Sequence, residues 1–327
     1  MSTALRSRDD ATSFLGAYAL SKGPREVEEA SDVIQRPLGY LLARLLERTP
    51  VSPNAVTGLS VLSAFGALAC FVGQRPQLAA AFVLLTAVLD STDGQLARMR
   101  KSASLSGRML DGTADMVSGV CILTGAAWML VAEHGTSPWR AGLVVLACFL
   151  TALTTSFQCS MFDHYKNLWL RMTLPGAAEP DDWESALLRR SRAGRVGPIQ
   201  SFAWATYVSY LKGQVDSARR YDPWTRSRNL PPCDAERAAR YRQEHAAVMR
   251  VWTLFFGFGT MLLGVAAASA LDLLEAYVVF RLLVLNAIFY GPLRAAQRRA
   301  SRITFEEGTT FASVAAVVPV GCEGERP

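Results

Sequence analysis

Asp90, Asp93, Asp111 and Asp115 stand within the segment VLDSTDGQLARMRKSASLSGRMLDGTADMVSG, from Val88 to Gly119. An ionised carboxylate at membrane depth is costly, and four close together repel one another, so such residues mark function by default. Asp90 and Asp93 are spaced i, i+3 and share one helix face, and Asp111 and Asp115 are spaced i, i+4 on another. The loop between them is short, so the two helices are expected to be antiparallel neighbours with their acidic faces at one depth. Carboxylates around a point need cations. Oxygen ligation without His or Cys favours Mg²⁺ or Mn²⁺. Two such ions suit an in-line phosphoryl displacement, in which they hold a diphosphate and neutralise developing charge. Solvated loop residues or helix caps would explain one or two of these aspartates, but not four at these spacings.

Smaller residues fit the same chemistry. Gly94 and Ala97, one and four residues after Asp93, would let a nucleotide approach the helix backbone. Gly107, one turn before Asp111, does the same or serves a close helix crossing. Arg98 offers a planar fork to a phosphate, or an interfacial anchor.

The elements that position these residues are apolar. Apolar residues make up 50% of the 327-residue chain and charged residues 19%, against about 25% charged in a soluble domain. Mean hydropathy is +0.17. Charge is nearly absent from several long stretches and dense between them, which indicates membrane spans joined by polar loops. Six spans are expected: about Asn54–Val72, Pro76–Arg98, Gly107–Ala132, a fourth from Trp139 through an interface near Asp163, Val248–Leu271, and Leu274–Leu293. The fold class is therefore an all-α integral membrane protein. Residues 1–48 read as a cytoplasmic arm followed by an amphipathic helix along the membrane surface, with Leu38, Leu41, Leu42, Leu45 and Leu46 at helical spacing. A soluble helix packed on cytoplasmic loops fits that pattern equally. Residues 49–171 hold spans one to four and the acidic motif. Residues 172–247 are too polar to span and read as a helical cytoplasmic cap. Its helical stretches are Trp183–Arg192, Gln200–Tyr221 and Cys233–Arg250, punctuated by RAGRVGPIQ and NLPPCD. Residues 248–300 hold spans five and six, and 301–327 form a cytoplasmic tail.

Basic residues set the orientation. Arg98, Arg100, Lys101 and Arg108 fall between spans two and three, six further arginines from Arg189 to Arg220 in the cap, and Arg294, Arg298, Arg299 and Arg302 after span six. The opposite loops offer only His134, Arg140, Asp272 and Glu275. The positive-inside rule puts both termini and the acidic motif on the cytoplasmic side of the inner membrane. The leading MSTALRSRDD runs into no apolar core, so no cleavable signal peptide is expected. The net charge of +6 reads as loops facing anionic lipid, with no nucleic acid as partner. Cys70, Cys121, Cys148, Cys159, Cys233 and Cys322 form no CxxC pair and read as small hydrophobes.

The spacing Asp90-x2-Asp93-Gly94-x2-Ala97-Arg98-x8-Gly107-x3-Asp111-x3-Asp115 resembles, at every defined position, the signature of the CDP-alcohol phosphotransferase (CDP-alcohol phosphatidyltransferase) family. Pro53-Asn54-Ala55-Val56-Thr57 is similar to a segment common at the start of the family's first span. Strong resemblance covers about residues 50–120. It implies that Asp90 and Asp111 touch both of two metal ions, that Asp93 completes the first site and Asp115 the second, and that Asp115 is also the general base. It implies that Gly94, Ala97, Arg98 and Gly107 border a CDP moiety with Asn54 and Thr57, and that Ser104 contacts the nucleotide. It further implies a homodimer and a CDP-alcohol donor, with CDP-diacylglycerol expected, passing a phosphatidyl group to an acceptor alcohol and releasing CMP. A CDP-choline or CDP-ethanolamine donor acting on diacylglycerol would use the same aspartates. A cation transporter or an inactive scaffold is the alternative of another class. No broken-helix pair or internal repeat in the sequence favours transport.

A phosphorylated acceptor would need a basic pocket. Lys166, Arg171, Arg250 and Arg294 are candidates, and all four also obey the positive-inside rule. Asp163 and His164 read as a surface ion pair or as contacts to a polar head group. Arg281, well inside span six, either reaches the interface or pairs internally with neighbours such as Asn286.

Overall fold

Local capping chemistry sets where the helices begin. In the computed structural model the described residues run from 25 to 307, apart from 103, 136, 176–182, 193–196, 227–229 and 231–232. The arm over 1–24, Cys322 and most of the tail lie outside them. After a short 3₁₀ turn the chain forms α1 (Asp32–Leu46) and then α2 (Pro53–Val72). Ser52 caps α2 by accepting the Ala55 N–H at 3.2 Å, and Pro53 sits at its first turn, where no amide is needed. α3 (Pro76–Met99) also opens on proline, and α4 (Leu105–His134) is capped by Ser104. α5 (Pro138–Thr173) follows. The turns after α2 and α3 each contain one left-handed residue, Gln74 and Lys101, which reverses the chain sharply.

Every described element is helical. Four helices have the length and apolarity to cross a membrane: α2, α4, α5 and the final run α10 (Leu274–Phe305). A fifth crossing arises if α8 (Ala235–Phe255) and α9 (Phe258–Ala270) count as one span broken by a 42° bend. α3 has the length, at 24 residues, but Asp90 and Asp93 dilute its apolar surface. The chain is thus a multi-pass membrane protein with many outward apolar side chains, among them Leu62, Trp128, Phe149, Leu153 and Leu283, which suits lipid as solvent.

Two of the sequence expectations change here. α3 and α4 do not pack along each other. Both pack along α2 and meet each other only sparsely. Small residues allow this: Gly66 of α2 receives the Phe82 ring of α3, and Gly125 of α4 lies against Leu68 and Phe71 of α2. The acidic faces therefore border a gap rather than a tight seam. The expected fifth span is also broken, at Phe256–Gly257, where Gly257 is extended (φ −73°, ψ 151°). α10 is widened by π-type turns at Phe280–Leu285 and Phe289–Leu293 and is kinked in the second, where Gly291 leaves the helical region (φ −95°, ψ −106°) just before Pro292.

α5, with 36 residues, is about 54 Å long, well beyond the ~30 Å hydrocarbon core. Its excess packs with α8, with α10 and with α7 (Pro198–Tyr221) around Phe162, Trp169, Trp252, Phe256 and Phe289. A second core joins α2, α3, α4 and α9 through residues such as Phe71, Val83, Ile122 and Leu262. α6 (Trp183–Arg192) and α7 pack Ala186, Ala203 and Trp204 on Met109 in the first turns of α4. α1 buries Gln35, Gly39, Tyr40 and Ala43 and exposes Val33, Leu38, Leu41 and Leu45. Leu42 and Leu46 of the expected apolar face turn inward instead.

Candidate metal centre and active site

α3 and α4 bring three carboxylates to one place. Asp90, Asp93 and Asp111 each offer one oxygen, all within 4.8 Å of one another. Asp115 lies one turn deeper on α4, its carboxyl within hydrogen-bonding reach of Asp90. Helical spacing explains each pair, and the shared support on α2 explains why the pairs face each other. Thr57 of α2 donates its hydroxyl proton to Asp93 Oδ2, which fixes the most buried of the four (5% exposed). Asp111 Oδ1 is buried and has no hydrogen-bond partner. A buried acceptor left bare beside two further carboxylates is unfavourable unless a cation completes it. The donor set is all oxygen, so the residues fit Mg²⁺ or Mn²⁺.

Arg98 is the nearby cation. Its field reaches both Asp93 and Asp111, and it folds back over Gly94, where an added Cβ would lie 3.4 Å from Nη1. Ala97 is half-buried on the same turn, and Asn54 is exposed in the first turn of α2. The Ser104 hydroxyl accepts the Gly107 N–H at 3.0 Å. Its visible task is to cap α4, and Gly107 keeps that cap uncrowded.

Two of the four basic candidates have other work. Lys166 Nζ is 3.8 Å from Glu29 Oε1 and stands over the Phe162 ring. Arg294 caps the C-terminus of α7, donating to the carbonyls of Tyr221 and Arg220 at 3.0 Å each and stacking on Tyr221. Arg171 is half-buried near the end of α5, and Arg250 is exposed on α8. Neither Lys166 nor Arg294 could meet an acceptor phosphate without giving up these contacts. The charged groups outside the motif that act most strongly on Asp90 and Asp115 are acidic: Glu29 and Asp163.

Asp163 and His164 are not an ion pair. Asp163 accepts from the Tyr210 hydroxyl at 2.8 Å, while His164 is buried 3.0 Å from Thr225 Oγ1. Consecutive helical residues point about 100° apart, which separates them. Arg281 pairs internally, donating to Thr155, Gln158 and Tyr277, with Gln158 in turn bonded to Asn286.

Sequence reasoning missed two residues. Arg100 donates to the carbonyls of Glu47, Val51 and Thr49, at 3.2, 2.5 and 2.8 Å, and to that of Leu46. It thereby ties the α1–α2 linker to the end of α3. Glu29 reaches the start of α9, Oε2 accepting the Thr260 N–H at 3.1 Å. Burial pushes the Glu29 carboxyl above its ordinary range, and Lys166 partly offsets that. Neither residue has a local signal, since each finds its partners far along the chain.

Residues 50–171 match the family model for CDP-alcohol phosphatidyltransferase. The chain is similar to the bifunctional IPC transferase and DIPP synthase of Rubrobacter xylanophilus, at 40% identity over 80 residues, 24% of this chain and 18% of that protein. It is similar to the phosphatidylinositol phosphate synthase of Mycobacterium tuberculosis, at 29% identity over 117 residues, 36% of this chain and 53% of that protein. It is also similar to the CDP-diacylglycerol–serine O-phosphatidyltransferase of the same species, at 32% identity over 100 residues, 30% of this chain and 33% of that protein. The matched stretch thus spans about half or less of each of these curated relatives. No solved structure matches the chain.

Proposed function

We propose, from the match of residues 50–171 to the CDP-alcohol phosphatidyltransferase family model, that this protein transfers a substituted phosphate group from a CDP-alcohol to an acceptor alcohol and releases CMP. CDP-diacylglycerol is the donor we favour, because the name of one relative specifies it. The observation that carries the reading is the convergence of Asp90, Asp93 and Asp111 around the bare Asp111 Oδ1.

In this reading Asp90, Asp93, Asp111 and Asp115 hold two Mg²⁺ or Mn²⁺ ions. Such ions supply charge neutralisation on the diphosphate. Thr57 orients Asp93 for that task. Gly94, Ala97 and Gly107 leave room for the nucleotide along α3 and α4, Arg98 faces its phosphates, and Asn54 and Ser104 border it. Asp115 accepts the proton of the acceptor hydroxyl. The acceptor oxygen bonds to the phosphorus nearer the lipid, and the bond from that phosphorus to the CMP oxygen breaks. Fixing both reactants in the gap between α3 and α4 lowers the entropic part of the barrier.

The same reading places six crossings in the bilayer: the four apolar helices, α3, and the α8–α9 pair. Positive-inside counting puts both termini and the aspartates at the cytoplasmic face of the inner membrane, α1 along its surface, and α6 and α7 in a cytoplasmic cap over 172–247. A homodimer through the spans fits the family plan. Of the residues proposed to meet an acceptor phosphate, Lys166, Arg171, Arg250 and Arg294, the first and last serve it only if their present contacts rearrange.

The test is CMP release by purified protein in lipid micelles with CDP-diacylglycerol, Mg²⁺ or Mn²⁺ and a panel of polar acceptors. We expect release that depends on one acceptor and is lost in Asp115→Asn, with nucleotide binding largely kept. Wild-type rates in Asp115→Asn would remove the assigned base. Release only with CDP-choline or CDP-ethanolamine plus diacylglycerol would replace the donor.

A further inference from the structure

A broken membrane helix leaves backbone groups exposed at the break, and in a bilayer each must find a partner. At Phe256–Gly257 those partners come from a segment more than 200 residues away in sequence. The Ala30 N–H donates to the Thr253 carbonyl at 3.1 Å, near the end of α8. Glu29 Oε2 accepts the Thr260 N–H in the first turn of α9 at 3.1 Å. Gln35 Nε2 donates to the Gly259 carbonyl at 3.1 Å. The two glycines at the break are moulded to this segment. A Cβ on Gly257 would lie 2.1 Å from Glu29 Oε2, and one on Gly259 would lie 2.7 Å from Ser31 Oγ. A carboxylate at a helix N-terminus is also favoured by the helix dipole.

The break lies beside the metal centre. α9 packs on α3, the helix that carries Asp90 and Asp93, and α1, which follows Glu29 directly, packs on α3 as well. Gly39 of α1 sits against Ser91 and Gln95, the neighbours of Asp90 and Asp93 on α3, and Gln95 donates to the Arg36 carbonyl.

We propose that Glu29 is a positioning residue of the metal centre: it caps the second half of the broken span from outside that span and fixes α9 and α1 on α3, so that α3 holds Asp90 and Asp93 where a cation needs them. The inference rests on reading the aspartates as a metal site. Lys166 belongs to the same device, holding the Glu29 side chain in place.

Binding of Mn²⁺ alone, followed by electron paramagnetic resonance on the detergent-purified full chain, tests this without turnover. Glu29→Ala removes the acceptor for Thr260, and its Mn²⁺ dissociation constant is expected to rise about tenfold. In CMP release by this variant, the Mn²⁺ concentration for half-maximal rate should rise more than kcat falls. Glu29→Gln keeps an acceptor for Thr260, and its Mn²⁺ affinity should lie closer to that of the wild type than that of Glu29→Ala does. Glu29→Asp is too short to reach Thr260 and should bind Mn²⁺ more weakly than Glu29→Gln. Gly257→Ala drives a methyl into Glu29 and should weaken Mn²⁺ binding too, with little added loss when combined with Glu29→Ala. Wild-type Mn²⁺ affinity in Glu29→Ala would overturn the proposal while leaving the metal reading intact. A wild-type protein that binds no Mn²⁺ would overturn both.

Discussion

Thr57 shows how a single hydroxyl can govern a charged site. It donates to Asp93 Oδ2 from a different helix, and so selects which carboxylate oxygen is left for a cation. Thr57→Val keeps the shape and removes the donor. We expect Mn²⁺ binding about tenfold weaker, read by the same resonance titration, with a small change in melting temperature. An unchanged affinity would mean that Asp93 needs no such orientation. The sequence marked Thr57 only through its resemblance to a family segment. Its bond to Asp93 crosses between helices and has no expression in local spacing.

At the scale of elements, α2 organises the site more than the motif helices do. α3 and α4 both lean on α2 and barely touch, which opens the gap where the aspartates meet. A short loop was expected to force the two helices together. Four carboxylates oppose such closure, and glycines at the α2 contacts, Gly66 on α2 and Gly125 on α4, offer each helix a better partner. Arg100 secures the entry to α2 by binding four carbonyls of the α1–α2 linker region. Hydrogen bonds from a guanidinium are worth more than neutral ones, so Arg100→Ala should cost roughly 2–3 kcal/mol. A lowered melting temperature together with faster proteolysis near Thr49 would report it. Melting and proteolysis like those of wild type would show that the linker holds itself.

For the molecule as a whole, the six-crossing reading predicts which loops face which side. In a background without native cysteines, Lys101→Cys should react with a membrane-impermeant thiol reagent only from the cytoplasmic side, and Asp272→Cys only from the opposite side. Both turns are tight, each built on a left-handed residue, so glycine at the same positions is the control for backbone effects. Labelling of both cysteines from one side would remove one of the three crossings between them, and the bent α8–α9 pair would be the element to reassign.

The acidic motif, the apolar helices and the polar stretch between spans four and five were legible in the sequence, because helical period and hydropathy are local properties. The caps are local too, Ser52 and Ser104 acting on amides three residues away, but the sequence reading gave Ser104 to the nucleotide and passed over Ser52. Tertiary structure decided what depends on distant partners. It split the fifth span at Gly257, since the segment from Glu29 to Gln35 satisfies backbone groups that a continuous helix would have satisfied itself. It engaged Lys166 and Arg294 in contacts with Glu29 and with the end of α7, where charge count alone had suggested a basic pocket. It separated Asp163 from His164 because neighbours on a helix face different surroundings. A sequence fixes the spacing of groups along one helix. Which groups meet across helices follows from how small and large side chains let those helices pack.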